Sequence, residues 1–135
     1  MSFLSILLVD DYAPWRRYIS SKLQKLEELQ VVCEASDGLE AIEQSAKLQP
    51  DLILLDIGLP KLNGIEVIRQ IRELAPKSKV LVVSQYAFVD VVQEALSLGA
   101  LGYIDKSEAG NELLPALEAV IHGKKFVSSR LAGFR

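Results

Sequence analysis

Five short apolar runs, separated by segments with helical spacing, constrain this chain more than any other feature. The runs are Phe3–Val9, Val31–Ala35, Leu52–Leu55, Val80–Ser84 and Leu101–Ile104. Most are continuous rather than alternating, which is the pattern of a strand covered on both faces. Residues 14–29 place Trp15, Tyr18, Ile19, Leu23 and Leu26 on one helical face. Residues 39–48, 64–74, 87–98 and 108–122 repeat apolar positions at similar steps. Five strand–helix units in alternation predict a parallel sheet with helices on both sides. The punctuation agrees: Pro14 suits a first helical turn, and Gly99 and Gly123 suit helix C-terminal caps. Pro115 falls inside the last helical segment, where its missing N–H predicts a kink or a loosened first turn.

A chain of 135 residues, half of them hydrophobic, is long enough for one domain whose core needs no disulfide or metal staple. Its single cysteine, Cys33, excludes a disulfide framework and reads as a buried, unreactive thiol in an apolar strand. The longest run without a charge is ten residues, about half of a membrane span. The apolar start lacks a basic flank and runs into Asp10-Asp11, which argues against a signal peptide and for a cytoplasmic location. Charge is unevenly spread. Residues 124–135 hold four basic side chains and no acid, so the first 123 carry a net charge of −7. The expected division is therefore an acidic domain over 1–123 and a basic tail or linker stub over 124–135. An acidic body is a poor reader of nucleic acid, so no direct nucleic-acid binding and no membrane contact is expected of this chain.

In an open α/β sheet, ligands bind beyond the carboxyl ends of the strands. Those ends carry Asp10-Asp11, Asp56, Ser84 and Asp105-Lys106. Two carboxylates about 4 Å apart repel by roughly 4 kcal/mol at an effective dielectric of about 20, so the cluster calls for a proton or a cation. Few carboxylates and several retained waters suit Mg2+. Such a site fits phosphoryl transfer, which needs positioning and charge stabilisation more than covalent chemistry. Asp56 is the natural nucleophile, and Lys106 and Ser84 are placed to meet phosphoryl oxygens.

The stretches Ile6–Asp11, Leu54–Gly64, Val82–Ser84 and Gly102–Lys106 together resemble the receiver domain of bacterial two-component response regulators, over roughly residues 4–123. The resemblance implies a flavodoxin-like (βα)5 doubly wound fold, with five parallel strands in the order 2-1-3-4-5. It implies phosphorylation of Asp56 by a histidine kinase or phosphotransfer protein. It also implies Mg2+ held by Asp11, Asp56 and the Gly58 backbone carbonyl, with Asp10 acting through water. Ser84 and Tyr103 correspond to switch residues, a hydroxyl that moves toward the phosphoryl group and a ring that turns inward behind it. The switched face then binds a partner or a second copy of the chain. Residues 97–131 are similar to the subgroup of receivers that precedes a helix-turn-helix effector. The twelve residues after Gly123 are too few for that effector.

Two positions depart from the family pattern, and two more bear on how it works. Ser107 stands where many receivers have proline and is expected to cap the last helix. Gln85 is bulkier than the usual small residue and is expected to restrict access. Gly58 and Tyr86 hold positions that tune dephosphorylation in the family. Rival readings have less support. A haloacid-dehalogenase-like phosphohydrolase wants an aspartate at the position of Gly58, and a flavin binder wants a phosphate loop where Asp10-Asp11 lie. A phosphorylation-independent docking domain would not need the complete set of acids, Ser84 and Lys106. The lone His122 sits where a helix C-terminus favours a polar cap, which is its structural role here.

Overall fold

The computed structural model of the chain describes residues 3–86, 88–129 and 131. Met1 and Ser2 of the apolar start, Ala87 of the fourth helical segment, and Arg130 and residues 132–135 of the basic tail lie outside the described residues. The expected alternation is present. The elements run β1 (Leu4–Val9), α1 (Ala13–Leu23), β2 (Leu29–Ala35), α2 (Gly38–Leu48), β3 (Leu52–Leu55), α3 (Gly64–Leu74), β4 (Lys79–Ser84), α4 (Val89–Ser97), β5 (Gly102–Asp105), α5 (Ala109–Ile121) and β6 (Phe126–Val127). The sheet is parallel throughout, in the order β2-β1-β3-β4-β5-β6. The five expected strands keep their expected order, and a two-residue sixth extends it at the β5 edge.

The continuous apolar runs have a direct physical reason. Each central strand sends alternate side chains to opposite faces, and both faces are buried. Leu7, Val9, Ile53, Leu55, Val80 and Val82 pack beneath α2, α3 and α4 with Val67, Ile68, Ile71 and Val92. Ile6, Leu8, Leu52, Leu54, Leu81 and Val83 pack beneath α1 and α5 with Ile19, Leu23, Leu113 and Leu117. At about 1.5–3 kcal/mol for each fully buried aliphatic side chain, these two layers are the main favourable term holding the sheet together beneath its rim.

Two helices differ from the periodicity. The first ends at Leu23 rather than running to 29, because the chain turns: the N–H groups of Leu26 and Leu29 donate to Leu23 and Leu26 carbonyls. The turn returns Leu26 to the same apolar layer that a longer helix would have served. The last helix runs through Pro115 without a break. The irregularity expected near its start takes the form of a 3-10 turn over Lys106–Glu108. Gly99 and Gly123 adopt φ values of +109° and +76°, as C-terminal caps require. Among the described residues, no helix is long and apolar enough to cross a membrane.

Candidate functional site

Strand register assembles the site. Val9 of β1 is level with Leu55 of β3, so the residues that follow, Asp10 and Asp56, leave the sheet side by side. The Asp56 N–H still donates to the Val9 carbonyl at 3.0 Å, and that of Asp10 to Ala35 at 3.1 Å. On the other side Ser84 is level with Asp105, which brings Lys106 in from the end of β5. Asp10 and Asp56 are 1% and 5% exposed, while Asp11 is exposed. One carboxylate oxygen from each of the three lies within 4.8 Å of the others.

Lys106 offsets the repulsion in this cluster. Its ammonium stands 2.7 Å from Asp10 Oδ2 and 3.3 Å from Asp56 Oδ2. Burial pushes the Asp10 carboxyl above the usual carboxylate range, against the pull of Lys106 and of the Tyr12 N–H on Oδ1 at 2.9 Å. Burial draws Lys106 down, but Asp10 and Asp56 outweigh it and hold the ammonium above its ordinary value. Among the described residues, Asp10 Oδ2 is buried with the Lys106 ion pair and no directed hydrogen bond. Three hard oxygens, one of them lacking a directed donor, are the donor set that a small divalent cation fits.

The loop after β3 holds Asp56 still. The Gly58 N–H donates to Asp56 Oδ1 at 3.2 Å. A Cβ on Gly64, at the start of α3, would lie 2.5 Å from Ile57 Cα and 2.8 Å from the Asp56 carbonyl, so only glycine lets the helix close on the loop. Asn63 caps that helix, its Oδ1 accepting from the Ile65 and Glu66 N–H groups. A Cβ on Gly58 would stand 2.3 Å from the Tyr86 ring. Tyr86 therefore packs across the Asp56 loop.

Ser84 and Tyr103 meet on the backbone of that same Tyr86. The Tyr86 N–H donates to Ser84 Oγ at 3.1 Å, and the Tyr103 hydroxyl donates to the Tyr86 carbonyl. Tyr103 is fully buried, its ring turned inward, and burial raises its pKa. Gln85 is exposed. The cap expected of Ser107 belongs instead to Asp105, whose carboxylate accepts from the Ser107 N–H and hydroxyl at the 3-10 turn, because that turn intervenes before α5 begins. His122 sits in the last turn against the Glu118 carbonyl at 2.8 Å, a capping position as expected. Cys33 is a free, half-buried thiol whose pKa burial raises, in keeping with low reactivity.

Two residues near the site have contacts that helical periodicity did not reveal. Helical spacing puts Trp15 on the apolar face of α1 and the neighbouring Arg16 off it. The Trp15 ring in fact lies under Lys106, with the ammonium 5.0 Å from its centroid. Arg16 reaches the Asp10 carbonyl at 2.6 Å and Glu34 at 2.8 Å. Their proximity in sequence to Asp10-Asp11 was the available signal. A groove of about 450 Å3 between α1 and β2 is lined by none of the site residues, and the space directly beneath Asp10 and Asp56 is about 10 Å3. The floor beneath the carboxylates is thus packed, and of the three acids only Asp11 stands exposed.

Comparison with known proteins bears on the family and the fold. Residues 6–118 match the response regulator receiver domain. The nitrate/nitrite response regulator protein NarL of Escherichia coli is 35% identical over 127 residues, covering 94% of this chain and 59% of that protein. Transcriptional regulatory protein DegU of Brevibacillus brevis is 33% identical over 128 residues, covering 95% and 54%. The chain thus spans little more than half the length of these curated relatives. The crystal structure of a LuxR-family two-component response regulator from Aurantimonas sp. SI85-9A1 superposes with a TM-score of 0.92 at 31% identity, covering 98% of this chain and 94% of that one.

Proposed function

The chain belongs to the response regulator receiver domain family, and we propose on that premise that Asp56 is its phosphoacceptor. The carrying observation is the rim itself: three carboxylates within 4.8 Å of one another, with Lys106 bridging two of them. Asp11, Asp56 and the Gly58 carbonyl would hold Mg2+, with Asp10 acting through water, as the donor set described above fits. Bound there, the ion neutralises charge as a phosphoryl group approaches. The donor would be a histidine kinase or phosphotransfer protein. A carboxylate oxygen of Asp56 attacks the phosphorus, the bond from phosphorus to the donor imidazole breaks, and the freed imidazole takes up a proton. Lys106 stabilises the charge gathering on the phosphoryl oxygens. Ser84 turns from the Tyr86 N–H toward them, and Tyr103 keeps its inward position behind it.

The released hold on Tyr86 is the route by which the rim alters the face around α4 and β5, which binds a partner or a second copy of the chain. Hydrolysis of the acyl phosphate by the chain itself resets the switch, and no external substrate is turned over. The chain works in the cytoplasm and does not itself contact nucleic acid or membrane. In the relatives, the names denote transcriptional regulation. Here the corresponding output would be carried by another segment or another protein.

The test is direct. With Mg2+ and a small phosphodonor, intact-mass spectrometry is expected to show one added phosphoryl group, labile to hydroxylamine. Asp56→Asn is expected to abolish it. Persistence of the adduct in that variant would sink the assignment.

A further inference from the structure

Among the described residues the Lys106 ammonium meets two anions and one aromatic face. Asp10 and Asp56 hold its ammonium at 2.7 and 3.3 Å. The third is the face of Trp15, its centroid 5.0 Å away. The two anions are the same groups that a cation at the rim would occupy. Whatever neutralises them weakens their hold on Lys106. The attraction of an indole face comes from the ring quadrupole and does not depend on the state of the carboxylates. It is strengthened where water is scarce, and the Lys106 side chain is 18% exposed.

The ring is itself well supported. Trp15 lies in the first turn of α1 and packs half-buried against the apolar layer beneath α1 and α5. It walls the small space under Asp10 and Asp56. Tyr18, one turn further on, stacks against it at 5.3 Å and a 45° tilt. The Tyr18 hydroxyl lies 3.7 Å from where a Cβ on Gly110 would stand, so the aromatic pair spans from α1 to the start of α5.

We propose that Trp15 is a positioning residue for phosphoryl transfer: its ring keeps the Lys106 ammonium at the rim when Asp10 and Asp56 are engaged by a metal ion, so that the ammonium is in place for the phosphoryl oxygens. This rests on the assignment of Asp56 as phosphoacceptor. The arrangement removes a conflict that the acids alone would create, in which the cation that prepares the site also frees the lysine to swing into solvent.

Trp15 is the only tryptophan in the chain, so its emission reports the contact without any added label. Without metal, Lys106→Met is expected to change that emission, and superimposable spectra would overturn the proposal. With saturating Mg2+ the wild-type and Lys106→Met spectra are expected to remain different, because the ammonium stays on the ring. Loss of the difference on adding Mg2+ would overturn it as well. In the transfer assay Trp15→Leu is expected to slow adduct formation about three- to tenfold, and Trp15→Phe to restore most of the rate. In a Lys106→Met background Trp15→Leu is expected to have no further effect. The same slowing in that background means Trp15 acts only on the fold and refutes the role. An adduct on the wild type formed equally fast by Trp15→Leu overturns the Trp15 proposal alone, whereas no adduct on the wild type overturns the Asp56 assignment and the transfer role with it. Should Trp15→Leu not fold, the Trp15→Phe rate and the two emission comparisons still decide.

Discussion

Lys106 stands between buried acids and a site meant for a cation, and its removal should act in two opposite directions. Without metal, Lys106→Met leaves Asp10 and Asp56 facing each other unpaired, which is expected to lower unfolding free energy by about 1–3 kcal/mol in a denaturant titration. Mg2+ no longer competes with the ammonium in that variant, so calorimetry is expected to show tighter binding than in the wild type. Gly58 makes a second residue-scale case. Gly58→Ala drives a Cβ to 2.3 Å from the Tyr86 ring. The ring is 41% exposed and has room to swing out, so the change is expected to destabilise by about 1 kcal/mol. In a Tyr86→Ala background the same change is expected to be nearly neutral, a coupling that a double-mutant cycle reads. Every acid at the rim, with Ser84 and Lys106, was legible from its place at a strand end. The Trp15 contact was not, because helical periodicity says which face a residue occupies but not which side chain from another element crosses it.

At the scale of elements, the clearest surprise is β6. Two residues flanked by Lys124-Lys125 and a pair of serines give no strand pattern, so sequence reading left them in a basic tail. What fixes the strand is side-chain chemistry beyond it. The buried Ser128 hydroxyl donates to Glu112 of α5 and accepts from the Asp105 N–H at 3.0 Å, and the Ser129 N–H donates to Glu112 at 3.1 Å. Burial raises the Glu112 carboxyl, but these bonds outweigh it and hold its pKa below the ordinary 4.5. A depressed carboxylate pKa adds stability that is present above the unfolded value and fades as pH falls through the lower folded value. Ser128→Ala is therefore expected to cost about 1–2 kcal/mol near neutral pH. The gap between the two proteins in thermal unfolding should narrow as pH falls below 4.5 and Glu112 becomes protonated. A gap that stays constant to low pH would show that Glu112 is not the partner that matters. The early end of α1 and the unbroken passage of α5 through Pro115 have a similar cause, since packing of Leu26 and of Leu113 and Leu117 decides what local propensity leaves open.

For the whole molecule, the sheet architecture was the most legible property, because two buried faces write continuous apolar runs into every central strand. That same packing ties the rim to global stability. A ligand bound only by the native chain stabilises it by mass action. At about ten times its dissociation constant, Mg2+ is expected to add about 1.4 kcal/mol. For a domain of this size that raises the unfolding midpoint by roughly 4–8 °C. Chelation should reverse the shift, and differential scanning calorimetry of Asp56→Asn should show less of it.

The strand order has one more consequence. After β1 and β2 pair, each later strand joins the same growing edge in the order of its synthesis: β3 beside β1, β4 beside β3, then β5 and β6. A chain leaving the ribosome, at about 5–20 residues per second, never has to open a finished pair to insert the next. It does pass through a stage at which Asp10 and Asp56 are already neighbours while Lys106 has not yet been made. For those few seconds the nascent sheet carries its acids without their counter-charge, and a proton or a cation from solution has to stand in for it.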